Sequence, residues 1–205
     1  MKTQKKLWSA LAALCVATGT VAQPAYNYSK LQKEQLGRGV VAIRENPSDV
    51  VVSWRYLSSD PINTSFNVYR NGEKIAEVPH STGTFYRDTY SGNEKAVYTV
   101  KPVINGVETG KLNGNYTLPA NAPSGYIDIP LDRPAEGVTP SGQKYTYSPN
   151  DASIGDVDGD GEYEIILKWD PSNAHDNAHD GYTGNVYFDC YRLTGEKLWR
   201  IEDRK

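Results

Sequence analysis

The feature that most constrains this chain is a run of carboxylates in a short, glycine-rich turn. Six of the fourteen residues from Asp151 to Glu164 are acidic and none is basic. Confining that many negative charges in one turn is unfavourable unless a cation neutralises them. From Tyr163 to Trp169, at the end of this run and beyond it, aliphatic and aromatic side chains are frequent, which is typical of a strand. The sequence therefore predicts a cation-binding turn that leads into a β-sheet.

Calcium is the cation that best suits this turn, because it takes about six to eight oxygen ligands at flexible angles. The position where an EF-hand supplies its last acidic ligand holds Leu167, so the turn is better compared with the calcium loops between propeller strands of integrin-like repeats. A solvated acidic turn without an ion is the alternative. The expected ligands are three monodentate carboxylates, one backbone carbonyl and one closing carboxylate, from Asp156, Asp158, Asp160, Glu162 and Glu164 respectively.

Residues 30–119 read as short strands separated by turns, which predicts a fibronectin type III-like β-sandwich. Two Asn-Gly dipeptides, at 71–72 and 105–106, suit two-residue hairpins. Trp54 and Tyr98 resemble the buried tryptophan and the corner tyrosine of such sandwiches. A β-sandwich of another topology is the alternative. Alternation at period two predicts that one strand turns four side chains towards the core, namely Val50, Val52, Trp54 and Tyr56.

The rest of the chain divides into a Pro- and Gly-rich segment, 120–149, and a second β region, 150–205. The first is expected to be a linker or extended arm. In the second, the turn at Thr194-Gly195 joins two strand-like stretches, as in the outer hairpin of a β-propeller blade. A closed propeller needs at least four blades of roughly 40 residues. Residues 150–205 are therefore expected to form the start of a truncated propeller. The predicted fold class is all-β throughout.

The amino terminus predicts export. Three lysines precede the apolar run from Leu7 to Val16, and small residues at Thr20 and Ala22 lie before Gln23. This pattern is typical of a secretory signal peptide over residues 1–22, which implies a secreted or periplasmic protein. A lipoprotein signal at Cys15 is a weaker alternative, because Leu14 stands where a small residue is wanted.

Several other classes of function and site are disfavoured. The formal net charge is -3 and no basic run follows the first six residues, so nucleic-acid binding is not expected. No later stretch has the ~20 apolar residues of a membrane span. We expect a monomer without membrane insertion. Cys190 is expected to be a buried, inert thiol, and His175 and His179 fit a solvated loop better than a zinc site.

Long strings in both halves of the chain carry a resemblance. They are residues 36–42, 66–72, 147–153, 161–164, 168–173 and 181–187, which include Tyr147-Ser148-Pro149-Asn150-Asp151-Ala152-Ser153 and Lys168-Trp169-Asp170-Pro171-Ser172-Asn173. These strings resemble bacterial rhamnogalacturonan lyases of polysaccharide lyase family 11. The resemblance implies a sandwich domain followed by a calcium-rich, eight-bladed β-propeller. It also implies cleavage of the pectic polysaccharide rhamnogalacturonan I by β-elimination, with Ca²⁺ as cofactor.

The resemblance further implies that Asn150 and Asp170 contact the rhamnose of the substrate, and an amide and a carboxylate suit a polyol. Their alternative role is to cap turns on either side of a strand. No catalytic residue is named, because the base is expected in blades that lie outside this chain, and the chain alone is expected to be inactive. A noncatalytic, calcium-stabilised carbohydrate-binding or adhesin module is the main alternative function. A quinoprotein-like propeller dehydrogenase is a weaker one, without cofactor-handling residues to support it.

Overall fold

The structure, a computed structural model, describes residues 35–111, 113–176 and 178–203, so the predicted signal peptide lies outside it. The regular secondary structure in these ranges consists of β-strands, which confirms the all-β prediction. The strands are β1 (Val41–Asn46), β2 (Asp49–Ser53), β3 (Ser65–Arg70), β4 (Glu73–Val78), β5 (Phe85–Thr89), β6 (Ala96–Ile104), β7 (Val107–Glu108), β8 (Gly114–Leu118), β9 (Gly137–Val138), β10 (Lys144–Tyr145), β11 (Tyr147–Gly155), β12 (Glu164–Pro171), β13 (Val186–Tyr191) and β14 (Lys197–Asp203).

The first eight strands form two antiparallel sheets that share one core. One sheet has the order β1-β2-β5, and the other has the order β4-β3-β6-β7 with β8 also paired to β6. This arrangement is a β-sandwich, and its strand order fits the predicted fibronectin type III-like class. Alternate side chains of both sheets fill the space between them. The core comprises Val40, Ala42, Val50, Val52, Trp54, Phe66, Val68, Val78, Ala96, Tyr98, Val100 and Leu118.

Both Asn-Gly dipeptides form the predicted hairpin turns. Asn71 and Gly72 have φ angles of 51° and 85° and join β3 to β4. Asn105 and Gly106 have φ angles of 51° and 78° and join β6 to β7. Positive φ at both central positions gives a turn whose twist matches the flanking strands. These dipeptides therefore set two of the strand pairings locally.

The prediction for Tyr56 was wrong. Strand β2 ends at Ser53, so period-two alternation extends to the buried Trp54 and no further. A turn in which Asp60 N–H donates to Leu57 O (2.9 Å) redirects the chain. Tyr56 is 42% exposed; its ring meets Phe66 edge-on at 6.0 Å, and its hydroxyl donates to Pro61 O.

The tyrosine at the predicted corner position contacts a buried carboxylate. The Tyr98 hydroxyl donates to Asp88 at 2.7 Å. Arg70 Nη1 pairs with the same carboxylate at 2.6 Å. Tyr98 is itself fully buried, so its hydroxyl and Arg70 share one buried carboxylate.

The last four strands form a second unit, the meander sheet, with the order β11-β12-β13-β14 and antiparallel pairing throughout. Its own apolar cluster contains Tyr147, Leu167, Trp169 and Tyr191. In this sheet the Asp189 carboxylate, on β13, is fully buried. That carboxylate accepts hydrogen bonds from Trp169 Nε1 (2.8 Å), the Tyr191 hydroxyl (2.7 Å), and Arg200 Nε and Nη2 (both 2.6 Å).

The predicted linker or arm is attached to both units. Gly125 N–H donates to Arg44 O of β1 at 2.7 Å, and Ser124 forms an isolated bridge with Arg44. Further along, Asp132 N–H donates to the Tyr191 hydroxyl of β13 at 3.0 Å, and its carboxylate pairs with Lys197 of β14. The arm then forms the short hairpin β9–β10. It therefore fastens the meander sheet to the sandwich.

Candidate functional site

The acidic loop, residues 156–164, connects β11 to β12, includes the first residue of β12 and is shaped by its own carboxylates. Asp156 accepts hydrogen bonds from the backbone of Gly159 (2.8 Å) and Gly161 (3.1 Å). Glu164 accepts one from Val157 N–H at 2.9 Å. Gly159 and Gly161 have φ angles of 78° and 91°, which disfavour other residues. The sequence folds here into a tight turn because short acidic side chains bind nearby amides and glycine permits the reversal.

Three carboxylates of this loop converge. One oxygen each from Asp156, Asp158 and Glu164 lie within 4.8 Å of one another, and they are the one such metal-type cluster among the residues that the structure describes. Glu164 is 1% exposed, so its charge has little access to water. A buried carboxylate beside two others is costly unless a cation joins them. The donor set consists of oxygen only, which fits a hard cation such as Ca²⁺.

Arg192 is a partner of this loop that the sequence analysis missed. Its Nη1 lies 2.6 Å from Asp160 and 3.7 Å from Glu164, and its Nη2 pairs with Asp158. The hydrogen bond from Arg192 lowers the pKa of Asp160. Strand register could have revealed the contact: Ile165 pairs with Tyr191, so the preceding Glu164 faces Arg192. One guanidinium cannot balance all the loop carboxylates, so net negative charge remains.

The five predicted ligands therefore separate into three positions. Asp156, Asp158 and Glu164 converge on one point, and the Asp160 carboxylate faces Arg192. The Glu162 carboxylate turns away towards the sandwich, where its Oε1 accepts a hydrogen bond from Gly39 N–H at 3.2 Å. The ligand role of all five residues stays a prediction.

The structure brings the two predicted substrate residues together. Asn150 lies at an irregularity of β11 between Pro149 and Ala152, and its side-chain amide donates to Asp170 Oδ2 on β12. Lys168 Nζ lies 2.9 Å from the other oxygen of Asp170. Asn150 is exposed and Asp170 is partly exposed. An amide, a carboxylate and an ammonium thus form one accessible polar group that can donate to and accept from hydroxyls.

Cys190 and the two loop histidines are not part of either candidate site. Cys190 is buried, and burial raises the pKa of its thiol, which agrees with the prediction of an inert cysteine. The rings of His175 and His179 are 6.2 Å apart in an exposed loop. Among the described residues, no helix has the length and apolar character to cross a membrane.

Comparison with known proteins identifies the class of this all-β chain. The family "Rhamnogalacturonan I lyases beta-sheet domain" matches residues 31–116, and "Rhamnogalacturonan lyase family 11, C-terminal domain" matches residues 126–204. Both halves of the chain thus match domains of one kind of enzyme. The chain belongs to the rhamnogalacturonan lyases of family 11, as the resemblance predicted.

Individual relatives agree with that placement. The chain is 44% identical over 205 residues to rhamnogalacturonan endolyase YesW of Bacillus subtilis, covering 98% of this chain and 32% of the relative. It is 48% identical over 172 residues to exolyase YesX of the same organism, covering 84% and 27%.

Solved structures of such lyases share the fold of this chain. The YesW crystal structure superposes with a TM-score of 0.71 at 49% identity, covering 83% of this chain and 28% of that one. The Bacillus licheniformis lyase PL11 superposes with a TM-score of 0.69 at 48% identity, covering 83% and 28%. The chain therefore spans about a third of the length of its relatives or less.

Proposed function

We propose that this chain is the amino-terminal part of a secreted lyase that cleaves the rhamnosyl-galacturonate bond of rhamnogalacturonan I by calcium-assisted β-elimination. The observation that carries the proposal is that both halves match domains of this one enzyme family. The predicted signal peptide supports secretion. The four-stranded antiparallel meander has the strand pattern of a propeller blade, so we assign it as the first blade.

The chemistry sets a clear demand on the enzyme. The proton that leaves galacturonate is on C5, next to a carboxylate, so its removal builds further negative charge there. The electron pair then forms the C4=C5 double bond, the C4–O bond to rhamnose breaks, and the leaving oxygen takes up a proton. A positioned base must accept that proton, and donors or cations must stabilise the charge. A divalent cation held next to that carboxylate would supply this stabilisation. We assign no residue of this chain as the base, and we expect the chain alone to be inactive.

We assign substrate binding to the exposed group of Asn150 and Asp170. The two side chains contact each other, so a sugar hydroxyl can bridge them, and Lys168 holds the carboxylate in place. Asp170→Ala should weaken binding of a rhamnogalacturonan oligosaccharide about tenfold, the loss of one charge-assisted hydrogen bond, and Asn150→Ala, which loses a neutral one, about fivefold. Calorimetry measures the affinity, with Asp203→Ala on the far edge strand as control. Equal affinity in all the variants would contradict the assignment.

Calcium at the acidic loop is the second part of the proposal. At a hundredfold excess over Kd, a bound ion stabilises the folded state by about 2.7 kcal/mol. For a chain of this size that corresponds to a rise in Tm of roughly 5–10 °C. Asp158→Ala removes one of the three converging carboxylates and should abolish most of this rise. Asp151→Ala removes an exposed carboxylate outside that cluster and should preserve it.

Activity is tested directly. The chain is incubated with rhamnogalacturonan I and calcium, and ultraviolet absorbance reports the unsaturated uronate that elimination creates. We expect no increase for this chain, and an increase for a longer chain that continues through further blades. A clear increase with this chain alone would show that the base lies within it.

A further inference from the structure

The acidic loop has a second face, which contacts the sandwich. The carbonyl of Gly161 accepts hydrogen bonds from Gly37 N–H (2.6 Å) and Arg55 Nη1 (3.2 Å). The neighbouring Glu162 carboxylate accepts one from Gly39 N–H at 3.2 Å and lies 3.7 Å from Arg55. The middle of the loop is therefore bound to the chain segment before β1, whereas its two flanks carry the converging carboxylates.

This contact leaves no room for a side chain. A Cβ at Gly161 would lie 2.7 Å from Gly37 N, and a Cβ at Gly37 would lie 2.8 Å from Glu162 Oε1 and 3.2 Å from Gly161 O. Arg55 closes the contact, because its guanidinium lies 4.4 Å from the centre of the Tyr163 ring and donates to Gly37 O at 3.2 Å. The two backbones can meet only where both residues are glycine.

One residue of the loop belongs to both faces. Gly161 N–H donates to Asp156, one of the three converging carboxylates, while Gly161 O accepts from the sandwich. A shift of this residue relative to Gly37 must therefore also shift the amide that holds Asp156. The position of a candidate metal ligand depends in this way on a contact made on the opposite side of the loop.

We propose that Gly37 and Arg55 are positioning residues of the acidic loop, and that cation binding by the loop is coupled to its docking on the sandwich. This inference rests on the proposed calcium site. Outer partners that orient the ligands of a metal commonly change its affinity about 10- to 100-fold. Coupling is reciprocal, so calcium strengthens the docking contact by the same factor by which docking strengthens calcium binding.

The test uses two variants of the full chain, each with a matched control. Gly37→Ala places a methyl group against Gly161 and Glu162 without backbone strain, since Gly37 has no left-handed φ. Gly110→Ala is its control, because a Cβ there meets no atom within 4 Å. Arg55→Gln removes the guanidinium at the contact, and Arg87→Gln removes one from an exposed pair with Glu45.

Calcium affinity is measured by titration calorimetry after chelation, at a temperature where circular dichroism shows every variant folded. We expect Gly37→Ala and Arg55→Gln to bind calcium at least fivefold more weakly than the unchanged chain, and both controls to bind equally well. Hydrogen exchange of the Gly37 and Gly39 amides gives an independent measurement. Calcium should slow the exchange of both amides in the unchanged chain by the same factor, because both donate to the loop.

The outcomes separate the two proposals. No calcium binding by the unchanged chain would overturn the metal site and the coupling with it. Calcium binding that is equal in all five proteins would leave the metal site in place and overturn the coupling. A weaker affinity in the two variants, without slower exchange at Gly37 and Gly39 in the unchanged chain, would also overturn the coupling, because reciprocity would fail.

Discussion

Asp189→Asn should destabilise the meander sheet strongly, although it changes neither volume nor shape. The carboxylate is fully buried and accepts four hydrogen bonds, two of them from Arg200. Burial opposes its charge, but the hydrogen bonds from Arg200, Tyr191 and Trp169 outweigh burial and lower the pKa of Asp189. The residue is therefore ionised, and asparagine removes the charge that these donors face.

The magnitude follows from the contacts. An amide nitrogen in place of Oδ1 would face Arg200 Nε, so one charge-assisted hydrogen bond, worth about 1.5–3 kcal/mol, is lost. The other donors keep an acceptor, but a neutral one. Breaking a fully buried ion pair costs about 3–5 kcal/mol. The Arg200 side chain is 25% exposed, so water recovers part of that cost. We expect a loss of about 3 kcal/mol in the free energy of unfolding.

Urea denaturation followed by tryptophan fluorescence measures this loss, since Trp169 donates to Asp189. Asp132→Asn is the matched control: this carboxylate also pairs with Lys197 and lies near Arg200, but it is 62% exposed, so water screens the pair and the loss should be far smaller than for Asp189→Asn. The folded-state pKa of Asp189 is depressed, so its contribution is present above the unfolded value of about 3.9 and disappears as pH falls through the folded value. Equal effects of the two substitutions at pH 7 would refute the argument from burial.

Two further predictions concern charged groups at other positions. Hydrogen bonds from Asn67, Tyr69 and Lys101 lower the pKa of Glu108 to about 2, so its contribution to stability is complete above about pH 4.3 and is lost as pH falls through 2. The difference in urea midpoint between Glu108→Gln and the unchanged chain should therefore be large at pH 6 and much smaller near pH 2, and a constant difference would contradict this. Arg192→Gln removes the competing cation from the acidic loop, so calorimetry should show severalfold tighter calcium binding, with Lys197→Gln unchanged, and a weaker affinity would be incompatible with competition.

The sequence was most informative where structure is decided locally. Each Asn-Gly dipeptide carries its own turn conformation, and the alternation of Val50 and Val52 reports which face of β2 is buried. The turn of the acidic loop was equally predictable, since its carboxylates lie within a few residues of the amides that they bind. The prediction for Tyr56 was wrong because alternation cannot report where a strand ends.

The contacts of the loop with distant residues were not predictable in the same way. Arg192 and Gly37 reach it through strand register and through the packing of the sandwich against the meander sheet. Register depends on pairings between strands that are far apart in sequence, and period-two patterns leave it open. The same applies to the contact between Asn150 and Asp170, which requires a bulged strand to place an amide opposite a carboxylate.

The arm between the two units has a consequence for how strong their other contacts need to be. It is hydrogen-bonded to β1 at Gly125 and to β13 at Asp132, so only a few residues separate its two anchors. A tether this short keeps the joined surfaces at an effective concentration on the order of millimolar or higher. The handful of hydrogen bonds around Gly161 would be far too weak to hold two separate molecules together. Tethered in this way, they suffice to keep the acidic loop docked on the sandwich.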